Sequence, residues 1–289
     1  MVEFVQELVD GVLIGSTYAL VGIGFTLLWG FMRKYNMGYG ATAIGAAFLG
    51  LYIYTAVPGI PIPLLFVVTA VMGAALGLVV QVLCFRLLPK NYVFAPLLSS
   101  LGILFLIEEA INHVTEGRPQ SFPALVETSS FVGPFIIRLD YVAIFALSVL
   151  LVFGTYRVLF KTKVGLALRA TAQQPRAAQL VGIDPIRVDL ASFVLTGALA
   201  GVAGLLVTMG VGTASSGLAT TYTVKGLAVA VIGGLGSIPG AIAGGLLVGV
   251  VESEANAFLG ISYRDIFVFL TLFAVLILRP QGLLGKKEG

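Results

Sequence analysis

Runs of about 20 apolar residues recur along this 289-residue chain and constrain its fold more than any other feature. Only 11% of the residues are charged, whereas a soluble domain carries about 25%. Inside a bilayer the backbone must satisfy its own hydrogen bonds, which a helix does within one segment. We therefore predict an all-α integral membrane protein, a polytopic helical bundle of about eight or nine spans including one short or broken helix. Residues 1–289 form one transmembrane domain in this prediction.

Eight of these spans follow directly from the apolar runs, with ends good to about 2–4 residues. The predicted spans cover residues 9–31, 38–57, 64–88, 94–112, 141–160, 190–211, 241–259 and 266–278.

The segment TVKGLAVAVIGGLGSIPG, residues 223–240, is too short for a comfortable span before Pro239 interrupts it. Apolar segments interrupted by glycine and proline often mark broken helices that line a cavity. A short tilted span that ends in a tight turn fits the same residues, and both interpretations stay open.

The basic residues are distributed unevenly between the two sets of loops, which predicts the orientation of the chain. One side carries 13 of the 17 lysines and arginines. That set comprises Arg33, Lys34, Arg86, Lys90, Arg157, Lys161, Lys163, Arg169, Arg176, Arg187, Arg279, Lys286 and Lys287. We expect the loop 161–189 and the C-terminus to face the cytoplasm, and the N-terminus to face outward.

Acidic residues within the apolar segments are candidates for function, because a charge at membrane depth is costly. Glu108 and Glu109 lie near the end of the fourth span, and Glu252 and Glu254 lie in the seventh apolar run. They could relay a proton or substrate. Alternatively, they reach the interface or pair with basic residues such as Arg264.

Five G-x-x-x-G spacings each place two glycines on one helix face, where a neighbouring helix can approach closely. These pairs are Gly11 with Gly15, Gly73 with Gly77, Gly197 with Gly201, Gly240 with Gly244, and Gly245 with Gly249. Among 36 glycines some such pairs arise by chance, and packing within one subunit explains them.

The stretch RATAQQPRAAQLVGID, residues 169–184, is polar and basic in an otherwise apolar chain. Pro175 suits the first position of a helix, and Gly182 suits the position just past a helix end. The two predicted turns between them are too short to be stable alone in water, so they need a partner surface. Ala177, Leu180 and Val181 form the apolar patch of this predicted helix.

Enzymatic motifs are missing from the sequence. It has no G-x-x-x-x-G-K-[ST] phosphate loop, no H-E-x-x-H zinc helix and no G-x-S-x-G nucleophile elbow. The single cysteine, Cys84, excludes a disulfide within the chain. We therefore expect no enzyme and no metal site, but a vectorial function.

Four ordered segments resemble LivH-type permeases, the membrane subunits of bacterial branched-chain amino acid ABC importers. They begin with YNMGYGATAIGAAF from Tyr35 and GLALRATAQQPRAAQLVGIDPIRVDLASFVLTGALAGVAGLLV from Gly165. VIGGLGSIPGAIAGGLLVGVVE and YRDIFVFLTLFAVLILRPQGLLG follow. Met37–Gly38–Tyr39 departs from the family pattern, which often has a histidine or other polar residue there, so the departure bears on the substrate.

The resemblance implies that residues 174–181 are a coupling helix that docks on a separate ATPase subunit. The implied coupling residues are Arg169, Gln174, Pro175, Arg176, Ala177, Ala178, Leu180, Gly182 and Ile183. It further implies a translocation path, for which the candidate residues are Asn36, Gly40, Gly45, Gly233, Gly234, Gly236 and Glu252.

The family also implies the partners of the chain: a second, related permease, two ATP-binding subunits and an extracytoplasmic solute-binding protein. ATP and Mg are then bound by partners, and this chain binds no cofactor and no nucleic acid. The expected location is the bacterial inner membrane. The expected solute is a branched-chain or related amino acid. The alternatives are urea, short amides or other small carboxylated solutes, or a stand-alone secondary transporter.

Overall fold

The computed structural model is a helical bundle, and it describes residues 2–57, 59–88, 94–126, 129–132 and 135–285. Within these residues, eight helices are long and apolar enough to cross a membrane, and a ninth apolar helix is shorter. The helices are α1 Val2–Met32, α2 Tyr39–Ala56, α3 Ile62–Val80, α4 Ala95–Thr115, α5 Leu139–Lys161, α6 Lys163–Gln173, α7 Pro175–Leu180, α8 Pro185–Val211, α9 Leu218–Gly233, α10 Ile238–Leu259 and α11 Arg264–Leu278. The prediction of an all-α polytopic fold is confirmed.

The predicted spans begin too late at two helices: α1 begins at Val2 and not at residue 9, and α8 also begins early. The sixth span was predicted to begin at residue 190, but α8 begins at Pro185, because the Asp184 side chain accepts a hydrogen bond from Ile186 N at 2.9 Å and caps the helix. The third span ends in a π-helical turn, Gln81–Arg86. Interfacial polar residues can thus belong to a helix that apolarity alone would end too early.

The short apolar segment forms α9, an uninterrupted helix of 16 residues, about 24 Å long. It ends at Gly234, whose φ of 102° lies in the region that favours glycine. A tight turn leads to α10, where the Ser237 side chain accepts a hydrogen bond from Gly240 N at 3.2 Å. The structure therefore matches the interpretation of a short helix with a tight turn.

Two glycine seams hold the bundle together. In the first, Gly11 and Gly15 of α1 pack against Gly245 and Gly249 of α10, and a Cβ on Gly11 would meet Val250 Cα at 2.7 Å. The predicted close-approach faces therefore serve packing within the chain.

The second seam joins α3 to α8. Gly73 and Gly77 of α3 face Gly197 and Gly201 of α8, and a Cβ on Gly73 would lie 2.8 Å from Gly201 Cα. In both seams, the absence of side chains lets the backbones approach closely.

Burial separates central helices from peripheral ones. The most apolar part of α1 is 83% buried inside the chain, whereas that of α11 is only 6% buried. The chain therefore presents α11 and much of α3, α4 and α5 to its surroundings.

Two ends of the bundle can be distinguished. The loop end carries α6 and α7. The hairpin end carries β2 Ser129–Val132 paired with β3 Phe135–Arg138, and β1 Gln120–Ser121 paired with β4 Thr213–Ala214. Of the basic residues named for the orientation of the chain, Lys90, Lys286 and Lys287 lie outside the described residues.

Candidate functional site

The loop between α5 and α8 contains two helices, not one. α6 begins after Thr162, whose hydroxyl accepts a hydrogen bond from Gly165 N at 3.2 Å. It ends at Gln174, where the chain turns to begin α7 at Pro175. α7 was predicted from the sequence and α6 was not, although the apolar face of VGLALRA was an available signal.

α7 is closed at its far end by the backbone. Gly182 N donates to Gln179 O and Ile183 N donates to Ala178 O, both at 3.0 Å. Gly182 takes a φ of 85°, as its predicted position past the helix end requires. The short helix predicted over residues 174–181 is therefore confirmed as local structure, as α7 Pro175–Leu180.

The two faces of α7 differ in burial. Ala178 is only 4% exposed and fixes the helix to the bundle. Leu180 and Val181 are 89% and 76% exposed, and Ala177 is also exposed. Large exposed apolar side chains therefore form a small apolar patch on an anchored helix.

The basic residues of this loop are not equivalent. The Arg169 guanidinium lies over the Phe160 ring at 4.8 Å, which holds it against α5. Arg176 and Gln174 are exposed beside the apolar patch. Of the residues predicted for ATPase coupling, Gln174, Pro175, Arg176, Ala177, Leu180 and Gly182 are exposed at the loop end, whereas Arg169 and Ile183 are partly buried and Ala178 is buried.

The residues predicted for a path occupy close contacts inside the chain at the second helix. Asn36 is buried, and its side-chain oxygen accepts a hydrogen bond from Gly38 N at 3.0 Å. A Cβ on Gly40 would lie 2.6 Å from Thr223 N, and one on Gly45 would lie 2.9 Å from Ile107 Cγ2. They fix α2 against α9 and α4, and their role in a path stays a prediction.

The glycine-rich turn and the C-terminal signature meet in space. Leu283 N donates to Ile232 O at 2.8 Å, and Leu284 N donates to Gly233 O at 3.0 Å. A Cβ on Gly234 would come 2.6 Å from Gly285 Cα. The tail therefore caps the carbonyl end of α9, and we call this contact the C-terminal clasp.

The third predicted glycine of this turn, Gly236, lies at an exposed position of the turn with a φ of 87°. It stands near Gly30 of α1, where a Cβ would come 3.9 Å from Gly30 Cα.

A buried ion cluster lies among α9, α10 and α11. Glu252 is 2% exposed, and its Oε1 accepts a hydrogen bond from Lys225 Nζ at 3.0 Å and another from Arg264. Lys225 also pairs with Asp265 at 2.9 Å. The alternative in which Glu252 pairs with Arg264 is thereby confirmed.

Lys225 was missed as a partner of Glu252, although a lysine inside an apolar helix needs a counter-ion and was itself the signal. Glu108 is held by a hydroxyl group and not by a cation. Glu108 accepts a hydrogen bond from the Thr220 hydroxyl at 2.5 Å.

Comparison with known proteins identifies a family and several relatives of this chain. The family model described as "Branched-chain amino acid transport system / permease component" matches residues 8–276. The high-affinity branched-chain amino acid transport system permease protein BraD of Pseudomonas aeruginosa is 30% identical, over 99% of this chain and 97% of the relative. The corresponding LivH protein of Escherichia coli is 29% identical, over 99% and 96%. A probable LivH permease of Methanocaldococcus jannaschii is 30% identical, over 97% and 92%. No solved structure matches.

Proposed function

This chain belongs to the branched-chain amino acid transport system permease family, and from that premise we propose that it is a permease subunit of an ABC importer. It forms half of a translocation path and transmits the movement of separate ATPase subunits to the membrane helices. The observation that carries this proposal is α7, a capped helix with exposed Leu180 and Val181 on a fixed base.

The coupling step follows from how α7 is attached. Gln174 N donates to Ala170 O at 3.1 Å, and Ala178 N donates to Gln174 O at 3.0 Å, so α6 and α7 share a hydrogen-bonded corner. Beyond α7, Asp184 begins α8 with its cap. A rigid displacement of α7 would therefore pull α5 through α6, and α8 directly.

The orientation proposed from the basic residues assigns the loop end to the cytoplasm and the hairpin end to the outside. The loop end carries the exposed basic side chains of Arg157, Lys161, Lys163, Arg176 and Arg187. It also carries the C-terminal clasp. In this arrangement the domain of residues 1–289 lies in the inner membrane, and its coupling loop 161–189 reaches the ATPase.

The proposed assembly contains four further subunits or proteins beside this chain: a second, related permease, two ATP-binding subunits and an outer solute-binding protein. The ATP-binding subunits hold ATP and Mg. To the ATPase step, this chain contributes only the surface on which those subunits dock. The proposed solute is a branched-chain or related amino acid, in line with the names of the relatives.

A tagged chain, purified gently from its native membrane, tests the proposal. We expect ATPase subunits to co-purify, and the reconstituted assembly to take up leucine only with ATP and the binding protein. Replacing residues 176–181 with a Gly-Ser linker should abolish both results and leave the monodisperse elution profile of the permease unchanged.

The matched control is Gln179→Ala, which keeps the helix and its apolar patch and should retain both the ATPase subunits and the uptake. A chain that purifies alone and transports leucine without ATP would contradict the proposal.

A further inference from the structure

A cavity of about 290 Å³ lies between α1, α5, α8, α9 and α10, near the start of α11. Its rim consists of side chains at helix ends on the hairpin end: Arg138, Val211 and Asn256, which are all exposed. Its floor includes Glu252 and Tyr222, which are both buried. The cavity thus leads from the proposed outer surface down to the ion cluster.

Two residues that line the cavity each carry a buried hydrogen-bonding atom without a partner, and the two atoms are of opposite character. Within the part of the chain that the structure describes, Glu252 Oε2 and Arg264 Nε are buried without a hydrogen-bond partner. Both residues line the cavity. A buried acceptor on an anion and a buried donor on a cation each cost free energy unless something pairs with them.

The hydrogen bonds of the ion cluster are distributed unevenly over the two oxygens of the Glu252 carboxylate. Glu252 Oε1 accepts hydrogen bonds from both Lys225 and Arg264, whereas Oε2 accepts none among the described residues. Lys225 also forms an ion pair with Asp265, which is exposed. A ligand ammonium could therefore pair with Oε2, and a ligand carboxylate could pair with Arg264, without breaking the Lys225 pairs.

The walls of the cavity are apolar on the side of α1, α5 and α8, where Leu13, Ile144 and Val207 line it. Tyr18 and Tyr222 stand between the walls and the floor, with ring centroids 5.6 Å apart. A volume of about 290 Å³ lies at the low end of the roughly 300–1,000 Å³ of small-molecule pockets, which suits a ligand of few atoms.

The arginine at the rim is paired with a carboxylate of the same chain. Arg138 donates two hydrogen bonds to Asp140, and Nη2 lies 2.6 Å from Oδ2. This bonding raises the pKa of the Arg138 guanidinium, which therefore stays protonated.

We propose that this cavity is a binding site, within the permease chain itself, for one zwitterionic α-amino acid with an apolar side chain. Its ammonium pairs with Glu252, its carboxylate pairs with Arg264, and its side chain lies against Leu13, Ile144 and Val207. The inference rests on the proposed function, which supplies the solute, and extends it by assigning selectivity to this chain as well as to the binding protein.

Site-specific thiol labelling tests this assignment, because the native Cys84 is fully buried and gives a low background. Asn256→Cys places a thiol at the rim, and Ser262→Cys places one at an exposed position of the same end that does not line the cavity. The intact assembly in nanodiscs, without binding protein or ATP, is labelled with a membrane-impermeant maleimide in the presence and absence of L-leucine.

We expect saturating leucine to slow the labelling of Asn256→Cys by about tenfold and to leave that of Ser262→Cys unchanged. 4-Methylpentanoate, which lacks the ammonium, and isopentylamine, which lacks the carboxylate, should protect only at concentrations about tenfold higher or more. Arg264→Lys in the Asn256→Cys background keeps the positive charge but loses the guanidinium fork, and should weaken protection by a similar factor.

Three results would overturn the site: no protection by leucine, equal protection at Ser262→Cys, or equal protection by either half-analogue. The first result would mean that leucine does not pair with Glu252 Oε2 and Arg264, and that water is their partner. ATP-driven leucine uptake, measured on the same preparation with the binding protein added, separates the two proposals. Uptake without protection rejects the cavity site alone, and loss of uptake in the unsubstituted assembly rejects the proposed function.

Discussion

The coupling loop and the ion cluster place charge and apolar surface in opposite ways. At α7, the apolar side chains of Leu180 and Val181 are exposed at the surface of the chain. At the cluster, the charged side chains of Lys225 and Glu252 are buried inside a membrane protein. Each arrangement is costly for an isolated chain, and each is expected only where another molecule or a compensating partner completes it.

The difference teaches how each region depends on the rest of the bundle. The ion pairs of the cluster join residues of the same chain, so their loss should act on stability. α7 is completed by a partner, so its loss should act on coupling. The following changes test this contrast, in order of their expected effect on the stability of the bundle.

Glu252→Gln should be the most destabilising change, because it leaves the buried Lys225 ammonium without the buried carboxylate that it contacts, and Arg264 loses the same partner. Removing one partner from a buried ion pair costs about 3–5 kcal/mol. The double change Glu252→Gln with Arg264→Gln leaves the Lys225–Asp265 pair and should recover part of the loss. Thermal unfolding of the purified permease measures both, and an unchanged Tm in the single variant would contradict a structural role of the cluster.

Gly201→Ala should come next, since a Cβ at this position would lie 2.8 Å from the Thr69 carbonyl carbon. Forcing α3 and α8 apart is expected to cost about 1–3 kcal/mol. Gly154→Ala, where a Cβ would meet nothing within 4 Å, is the matched control and should be neutral or slightly stabilising. The same Tm shift in both variants would show that the seam is not tightly packed.

Gly282→Ala and Gly182→Ala compare the C-terminal clasp with the coupling loop directly. Their φ angles are similar, 80° and 85°, but a Cβ on Gly282 would lie 2.6 Å from Gly234 Cα, whereas one on Gly182 would meet nothing within 4 Å. Gly182→Ala should therefore cost only the backbone strain, about 1 kcal/mol, and Gly282→Ala should cost more. Equal losses of unfolding free energy would mean that the clasp yields to the added methyl group.

Leu180→Ser should have the smallest effect on stability and a large effect on coupling. The side chain is 89% exposed, so the unfolding free energy should change by less than about 0.5 kcal/mol. Retention of the ATPase subunits during purification and ATP-driven uptake should both fall. Gln179→Ser, on the same helix, should leave both unchanged, and an equal loss in the two variants would mean that the helix itself, and not its apolar patch, is what matters.

Local patterns carried much of the fold. Apolar runs located the long helices because a bilayer imposes length and apolarity on each segment separately. The α7 helix was predictable because its signals are local as well: Pro175 and Gly182 act within a few residues of their own position. The start of α8 was misplaced and α6 was missed, because amphipathic and capping signals at a membrane surface are weaker than the apolar runs beside them.

The candidate site was predictable only in part. Glu252 stood out as an acid in an apolar run, and its pairing with Arg264 was one of two open alternatives. The contribution of Lys225 was not apparent, since 27 residues and a tight turn separate it from Glu252. The apolar wall that faces these charges comes from α1, α5 and α8, which no local pattern connects.

The sequence by itself determined which segments are the long helices, which helix faces carry small residues, and where the short helix α7 begins and ends. These properties depend on nearest neighbours along the chain and on the medium. The tertiary structure alone decided that Gly11 meets Gly249, that the tail closes α9, and that one carboxylate lies between two cations beneath a cavity. Such contacts join segments far apart in sequence, and their energies exist only once the helices have packed.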